Sequence, residues 1–182
     1  MLTHEQKKKL INIARESIKA YFDDKKRVEF EVEDNVLHRK MGAFVTIKLS
    51  GELCGCIGNI VGSKPLYQTV SEMALQAAFF DPRFLPLKEE EYDDISLEIS
   101  VLSELEKIDD VEVVKPGEHG LLIRQGVYSG LLLPQVATEN DWDREEFLCQ
   151  TCLKAGLPER AWCQEHTEIY IFTAEVFGDK DL

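Results

Sequence analysis

Seven residues, Ile95-Ser96-Leu97-Glu98-Ile99-Ser100-Val101, alternate between apolar and polar without a break. Successive side chains of a strand point to opposite faces. The pattern therefore predicts a half-buried strand with Ile95, Leu97, Ile99 and Val101 inward and Ser96, Glu98 and Ser100 on the other face. Ala43–Leu49 is rich in β-branched and aromatic residues, Ser50-Gly51-Glu52 reads as a turn, and Leu53–Ile57 returns as a second strand. Gly55 and Gly58 interrupt that return, which marks a bulge or a close approach by backbone or ligand. Leu121–Ile123 and Leu131–Leu133 flank a connection containing Gly126 and predict another hairpin, ended by Pro134. Glu168–Val176 alternates again as a last strand.

Helical signals separate these strands. Thr3-x-x-Gln6 has the form of a capping box, and Leu10, Ala14 and Ile18 follow at four-residue spacing, predicting a helix that ends near Asp23. Pro65 suits a first turn, and Leu66, Val70, Met73, Ala74, Ala77 and Phe80 form an apolar stripe. Asp81-Pro82 ends that helix, because a residue before proline is driven from the helical region. Asp143-x-x-Glu146 opens a third helix and Gly156 stops it. Helices and hairpins in this order predict an α+β fold with mainly antiparallel sheets and flanking helices. At 182 residues the chain reads as one domain, 1–182, long enough to bury about 70% of its unfolded surface.

The formal charge is −13, and Asp81–Glu112 alone carries 12 acidic and 3 basic residues. Such a surface repels phosphate backbones and anionic membranes, which argues against generic nucleic-acid binding. No run approaches the ~18 apolar residues of a membrane helix, and the first residues lack the apolar core of a signal peptide. Cys54, Cys56, Cys149, Cys152 and Cys163 are odd in number and do not read as a disulfide framework. A reducing cytoplasm is the expected setting.

Six segments fall in one familiar order: Leu53-Cys54-Gly55-Cys56-Ile57-Gly58, Asp81-Pro82-Arg83-Phe84, Glu98–Leu102, Gly120-Leu121-Leu122, Gly130–Val136 and Cys152–Leu157. Through them nearly the whole chain resembles prokaryotic members of the AMMECR family, also called AmmeMemoRadiSam system protein A. The resemblance implies a two-lobed α+β fold, with a larger lobe from both termini, a smaller lobe from a middle segment, and a cleft between them. It also implies an association with Memo-like and radical SAM proteins. It implies no settled reaction, and no cofactor is assigned. The family's signature hexapeptide carries Arg where this chain has Cys54. A permanent cation and bidentate fork are thus missing at that position, and anion recognition there is either lost or moved to Arg83, Arg124 or Lys154.

Candidate chemistry follows from residue type. Cys56, flanked by glycine, reads as a nucleophilic thiol or as a small packed residue in a tight sheet. His119, in a flexible Gly117–Gly120 segment, reads as its general base or as a loop histidine bonded locally. Glu98 reads as the group orienting the imidazole or as ordinary surface. Cys54, Gly55, Gly58, Arg83 and Gln135 are candidates for contact with substrate. Arg83 has an alternative as the ion-pair partner of Asp81, and Gln135 as a hydrogen bond fixing a strand end. Cys149-x-x-Cys152 lies inside a helix rather than at its N-terminus, so it reads as packing and not as a redox or metal motif. Trp142 and Trp162 are expected in packing. A small-molecule or modified-base enzyme, or an accessory subunit, is the leading reading. A non-catalytic module that docks a Memo-like or radical SAM protein is the alternative, with the acidic Glu89–Asp94 run steering a basic partner.

Overall fold

A computed structural model describes residues 1–25 and 27–180. The chain divides into two compact units, one of Met1–Leu102 with Glu175–Leu182 and one of Ser103–Ala174.

In the first unit, α1 runs His4–Asp24. Its capping box is formed: Gln6 N donates to Thr3 Oγ1 at 3.2 Å, and Thr3 N donates to Gln6 Oε1 at 2.9 Å. Strands β1 (Ala43–Leu49) and β2 (Glu52–Asn59) make the expected hairpin. Helix α2 spans Leu66–Phe79, with Pro65 just before it as N-cap. Phe80 leaves the apolar stripe assigned to it. The helix has ended, Phe80 is its C-cap, and its side chain is 52% exposed. A turn then reverses the chain, with Phe84 N on Asp81 O (3.2 Å) and Leu87 N on Ala78 O (2.8 Å). A 3₁₀ helix over Glu89–Asp94 leads into β3, Ile95–Leu102. β1 lies between β2 and β3 and pairs antiparallel with both. Val45, Ile47, Leu97 and Ile99 point from the sheet into a core shared with Leu10, Ile13 and Ile18 of α1 and with Val70 and Ala74 of α2.

The second unit holds β4 (Glu106–Ile108), β5 (His119–Gln125), β6 (Tyr128–Leu132), α3 (Pro134–Glu139) and α4 (Arg144–Lys154). Strand β7, Glu168–Gly178, starts here and pairs antiparallel with β4 and β5, while β5 pairs with β6. Pro134 ends β6 as expected and also opens α3, because its fixed φ suits a first helical turn. Asp143 caps α4 by accepting from Glu146 N at 2.9 Å. Phe147, Leu148 and Cys152 of α4 pack on Leu121, Ile123 and Ile169, with Trp142 and Trp162 at the margin.

The end of β7 belongs to the first unit, where Phe177 is buried and Asp179 N donates to Leu97 O at 3.1 Å. The fold is α+β with antiparallel sheet and flanking helices. No helix among the described residues is long and apolar enough to cross a membrane.

Candidate functional site

Register places the first cluster. Thr46 stands opposite Cys56 on one side and opposite Glu98 on the other. The three side chains form a row across β2, β1 and β3, on the face turned from the core. Thr46 Oγ1 donates to Cys56 Sγ at 3.3 Å. One step along the same face, Lys48 Nζ meets Glu98 Oε2 at 3.5 Å. The carboxylate and the ammonium are 36% and 41% exposed, so this pair is worth little to stability. Cys56 and Glu98 stand two strands apart, about 10 Å at ordinary strand spacing. The sequence reading did not single out Thr46 or Lys48. The alternation of Phe44, Thr46 and Lys48 along β1 was the available signal.

The outer side of β2 is held by the turn after α2. Asp81 Oδ2 accepts from Cys56 N at 3.0 Å, and Arg83 Nη2 donates to Cys56 O at 2.9 Å. Arg83 also grips Asp81 bidentately, Nε to Oδ1 at 2.9 Å and Nη2 to Oδ2 at 2.7 Å, and its backbone N reaches Oδ1 at 3.1 Å. The Asp81 side chain is 1% exposed and that of Arg83 56%. The Arg83 hydrogen bonds hold the Asp81 carboxyl well below the usual carboxylate range, against the opposing effect of burial, with the Cys56 and Arg83 amides adding to the shift. Asp81 in turn raises Arg83 above its ordinary value, and the neighbouring Cys56 side chain adds to this through charge and hydrogen bonding. The ion pair weighed for Arg83 is present, and it bears on Cys56.

The glycines of the same strand are filled by protein. A Cβ on Gly55 would lie 2.0 Å from the Ala77 carbonyl oxygen of α2, and one on Gly58 2.3 Å from the Phe44 ring. The close approach expected at Gly55 is thus made by helix backbone. Cys54 is the extra residue of a bulge, since Ile47 pairs with Gly55 and Lys48 with Leu53. Its thiol donates to Ile47 O at 3.4 Å. Burial first, and the Glu91 charge second, raise the Cys54 pKa and keep the thiol protonated.

His119 and Gln135 belong to the second unit. His119 opens β5, where its Nδ1 accepts from Lys115 N at 3.4 Å and its Nε2 faces Glu118 Oε1 at 3.8 Å. An accepting Nδ1 puts the proton of the neutral ring on Nε2. Gln135 lies in the first turn of α3 and its carbonyl accepts from Thr138 Oγ1 at 2.8 Å. In α4, Cys149 and Cys152 are 4% and 0% exposed, and burial pushes the Cys152 thiol up to about 11. That is the reverse of an activated redox cysteine. Among the described residues no group of three or more His, Cys, Asp or Glu is placed to hold a metal ion.

These positions sit in a chain with clear relatives. A protein of Methanopyrus kandleri is 42% identical over 189 residues, covering 99% of this chain and 91% of the relative. A protein of Nanoarchaeum equitans is 43% identical over 180 residues, covering 93% and 98%. The crystal structure of an uncharacterized protein from Pyrococcus horikoshii superimposes with a TM-score of 0.86 at 41% identity, over 94% of this chain and 90% of that one. The AMMECR1 family model matches residues 11–177. With nine-tenths of its length accounted for by that model, the chain belongs to the AMMECR1 family.

Proposed function

We propose that this protein is a cytoplasmic enzyme, or the subunit of one, that acts on a small electrophilic molecule through Cys56. One observation carries the reading. The half-buried Cys56 thiol accepts from Thr46 Oγ1, and the Cys56 carbonyl accepts from Arg83, which buried Asp81 fixes in place. Cysteine sulfur is a strong nucleophile toward electrophilic carbon, and these contacts hold it in one place on the open face of the sheet. In the proposed step Cys56 gives its proton to water and the thiolate attacks an electrophilic carbon. A C–S bond forms, and the leaving group departs with its electron pair and takes a proton from water. Glu98 and Lys48, across the row, hold the far end of the substrate. Metabolite screening by thermal shift tests this: the reading expects a ligand shift that Cys56→Ala abolishes and Cys54→Ala retains. A shift intact in Cys56→Ala overturns it.

A second reading has its own support. Phe80 and Leu85 are 52% and 87% exposed on the flanks of the Asp81–Phe84 turn, next to the acidic Glu89–Asp94 helix. Exposed apolar residues beside a single-sign charge suit a docking surface for a basic partner. The family association suggests a Memo-like or radical SAM protein. Pull-down from native lysate with and without Leu85→Asp tests it: one co-purifying protein, lost in the variant, supports docking, and undiminished capture rejects this surface.

A further inference from the structure

Strand β6 is an edge. It pairs with β5 and, among the described residues, with no other strand. Gln125 and Tyr128 close a two-residue turn over Gly126 and Val127, and Gly126 has the positive φ, 59°, that the first central position of a type II′ turn requires. In such a hairpin the closing pair exchanges both backbone hydrogen bonds, and every second pair after it does the same. Tyr128, Gly130 and Leu132 therefore bond to β5, and the N–H and C=O of Ser129 and Leu131 point outward. Neither residue enters any other backbone hydrogen bond among the described residues.

The edge of β2 is covered, because Asp81 and Arg83 take up the N–H and C=O of Cys56. β6 has no such cover. Tyr128-Ser129-Gly130-Leu131-Leu132 carries no charge and no proline, and its register with β5 runs without a bulge. Charge, proline and bulges are the usual guards of an edge. The margin is also apolar: Val127 is 94% exposed, and Tyr128 and Leu153 are exposed too. Leu153 lies in the last turn of α4, and the chain leaving that turn comes so close to β6 that a Cβ on Gly130 would meet Ala155 N at 2.3 Å.

Charge narrows the occupant. At −13 per chain, two copies repel across most of their surface. Yet no acidic residue stands between Glu118 and Glu139, and the β5–β6 hairpin falls wholly inside that span. Two copies can join there without opposing carboxylates. A strongly basic partner is drawn instead to Asp81–Glu112, and a strongly acidic one finds on the hairpin only Arg124, which already stands opposite Glu168. An antiparallel strand edge is complementary to itself across a two-fold axis. We propose that this edge pairs with the same edge of a second copy of the chain, joining the two β6 strands antiparallel. Ser129 and Leu131 of each copy then exchange their outward hydrogen bonds, and Val127, Tyr128 and Leu153 are covered. The contact is independent of Cys56.

Sedimentation velocity of the full chain, from micromolar to submillimolar concentration, tests the proposal. A monomer–dimer equilibrium is expected. It should tighten as salt is raised from about 0.01 M to about 0.1 M, because screening removes repulsion between the acidic surfaces. Leu131→Pro deletes an outward N–H and leaves the bonds to β5, and Ser129→Lys puts a charge on the edge. Each should weaken the dimer about tenfold or more, the worth of one or two lost hydrogen bonds. Ser129→Lys, at an exposed position, carries the test if Leu131→Pro fails to fold by circular dichroism. Cys56→Ala and Leu85→Asp should dimerise as the wild type does. A chain that stays monomeric, its edge then left to a strand of some other protein, or a dimer indifferent to the folded edge variants, overturns the proposal.

Discussion

The carboxylate of Asp81 takes the place of a neighbouring strand at Cys56, accepting the amide N–H that β2 turns outward. β2 is an edge strand, and unpaired edge groups are a standing liability. Arg83 completes the cover by donating to Cys56 O. Asp81→Ala leaves that amide and the arginine without their acceptor. We expect a loss of about 1–3 kcal/mol, measured by urea denaturation. Unchanged stability would show that the clamp is incidental.

The same carboxylate gives a pH signature. Its folded pKa is depressed below the ordinary aspartate value, so its contribution is present above about 3.9 and disappears as pH falls below that value toward the folded one. Melting temperature of the wild type and of Asp81→Asn should therefore converge on acidification below about pH 4. Parallel curves throughout the acid range would contradict this.

Thiol reactivity should follow local surroundings. With iodoacetamide at neutral pH, peptide mapping should find Cys56 and exposed Cys163 modified ahead of Cys54, Cys149 and Cys152. Arg83→Gln and Thr46→Val should each slow Cys56 several-fold, because each removes a hydrogen bond that positions this residue. A Cys56 rate unaltered by Arg83→Gln removes the arginine from the mechanism.

Gly55→Ala should destabilise the first unit. The added methyl meets the Ala77 carbonyl, which is helix backbone and unable to step aside cheaply. Overpacking of this kind costs about 1–3 kcal/mol, again read by denaturation, with Gly51→Ala as a contrasting site strained by its φ of +90° but open in space.

Faces were legible in the sequence, and register was not. Alternation put Glu98 on the polar side of β3, but only strand pairing brings it to Thr46 and thence to Cys56. The pattern at Asp81-Pro82-Arg83 revealed an ion pair, while its grip on the β2 backbone depends on how the turn after α2 folds back. Phe80 was misplaced because apolar spacing carries on past the point where the helix stops. β4 and α3 went unread because segments of three and six residues are too short to establish a period. The dyad of Cys56 with His119 rests on residue type alone: Cys56 lies in the first unit, bonded to Thr46, and His119 in the second, bonded to Lys115.

Strand β7 sets an order on synthesis. The first unit begins at Met1 but draws on Glu175, which accepts from Leu2 N at 2.8 Å and meets Lys7 at 2.8 Å, and on Asp179, which accepts from Leu97 N at 3.0 Å and pairs with Arg15. A ribosome that has released only the first hundred residues has made a subdomain still lacking these carboxylates and the buried Phe177 ring. Its α1 stays unlatched until Glu175 and Asp179 emerge, so the helix made first is among the last elements to be fixed.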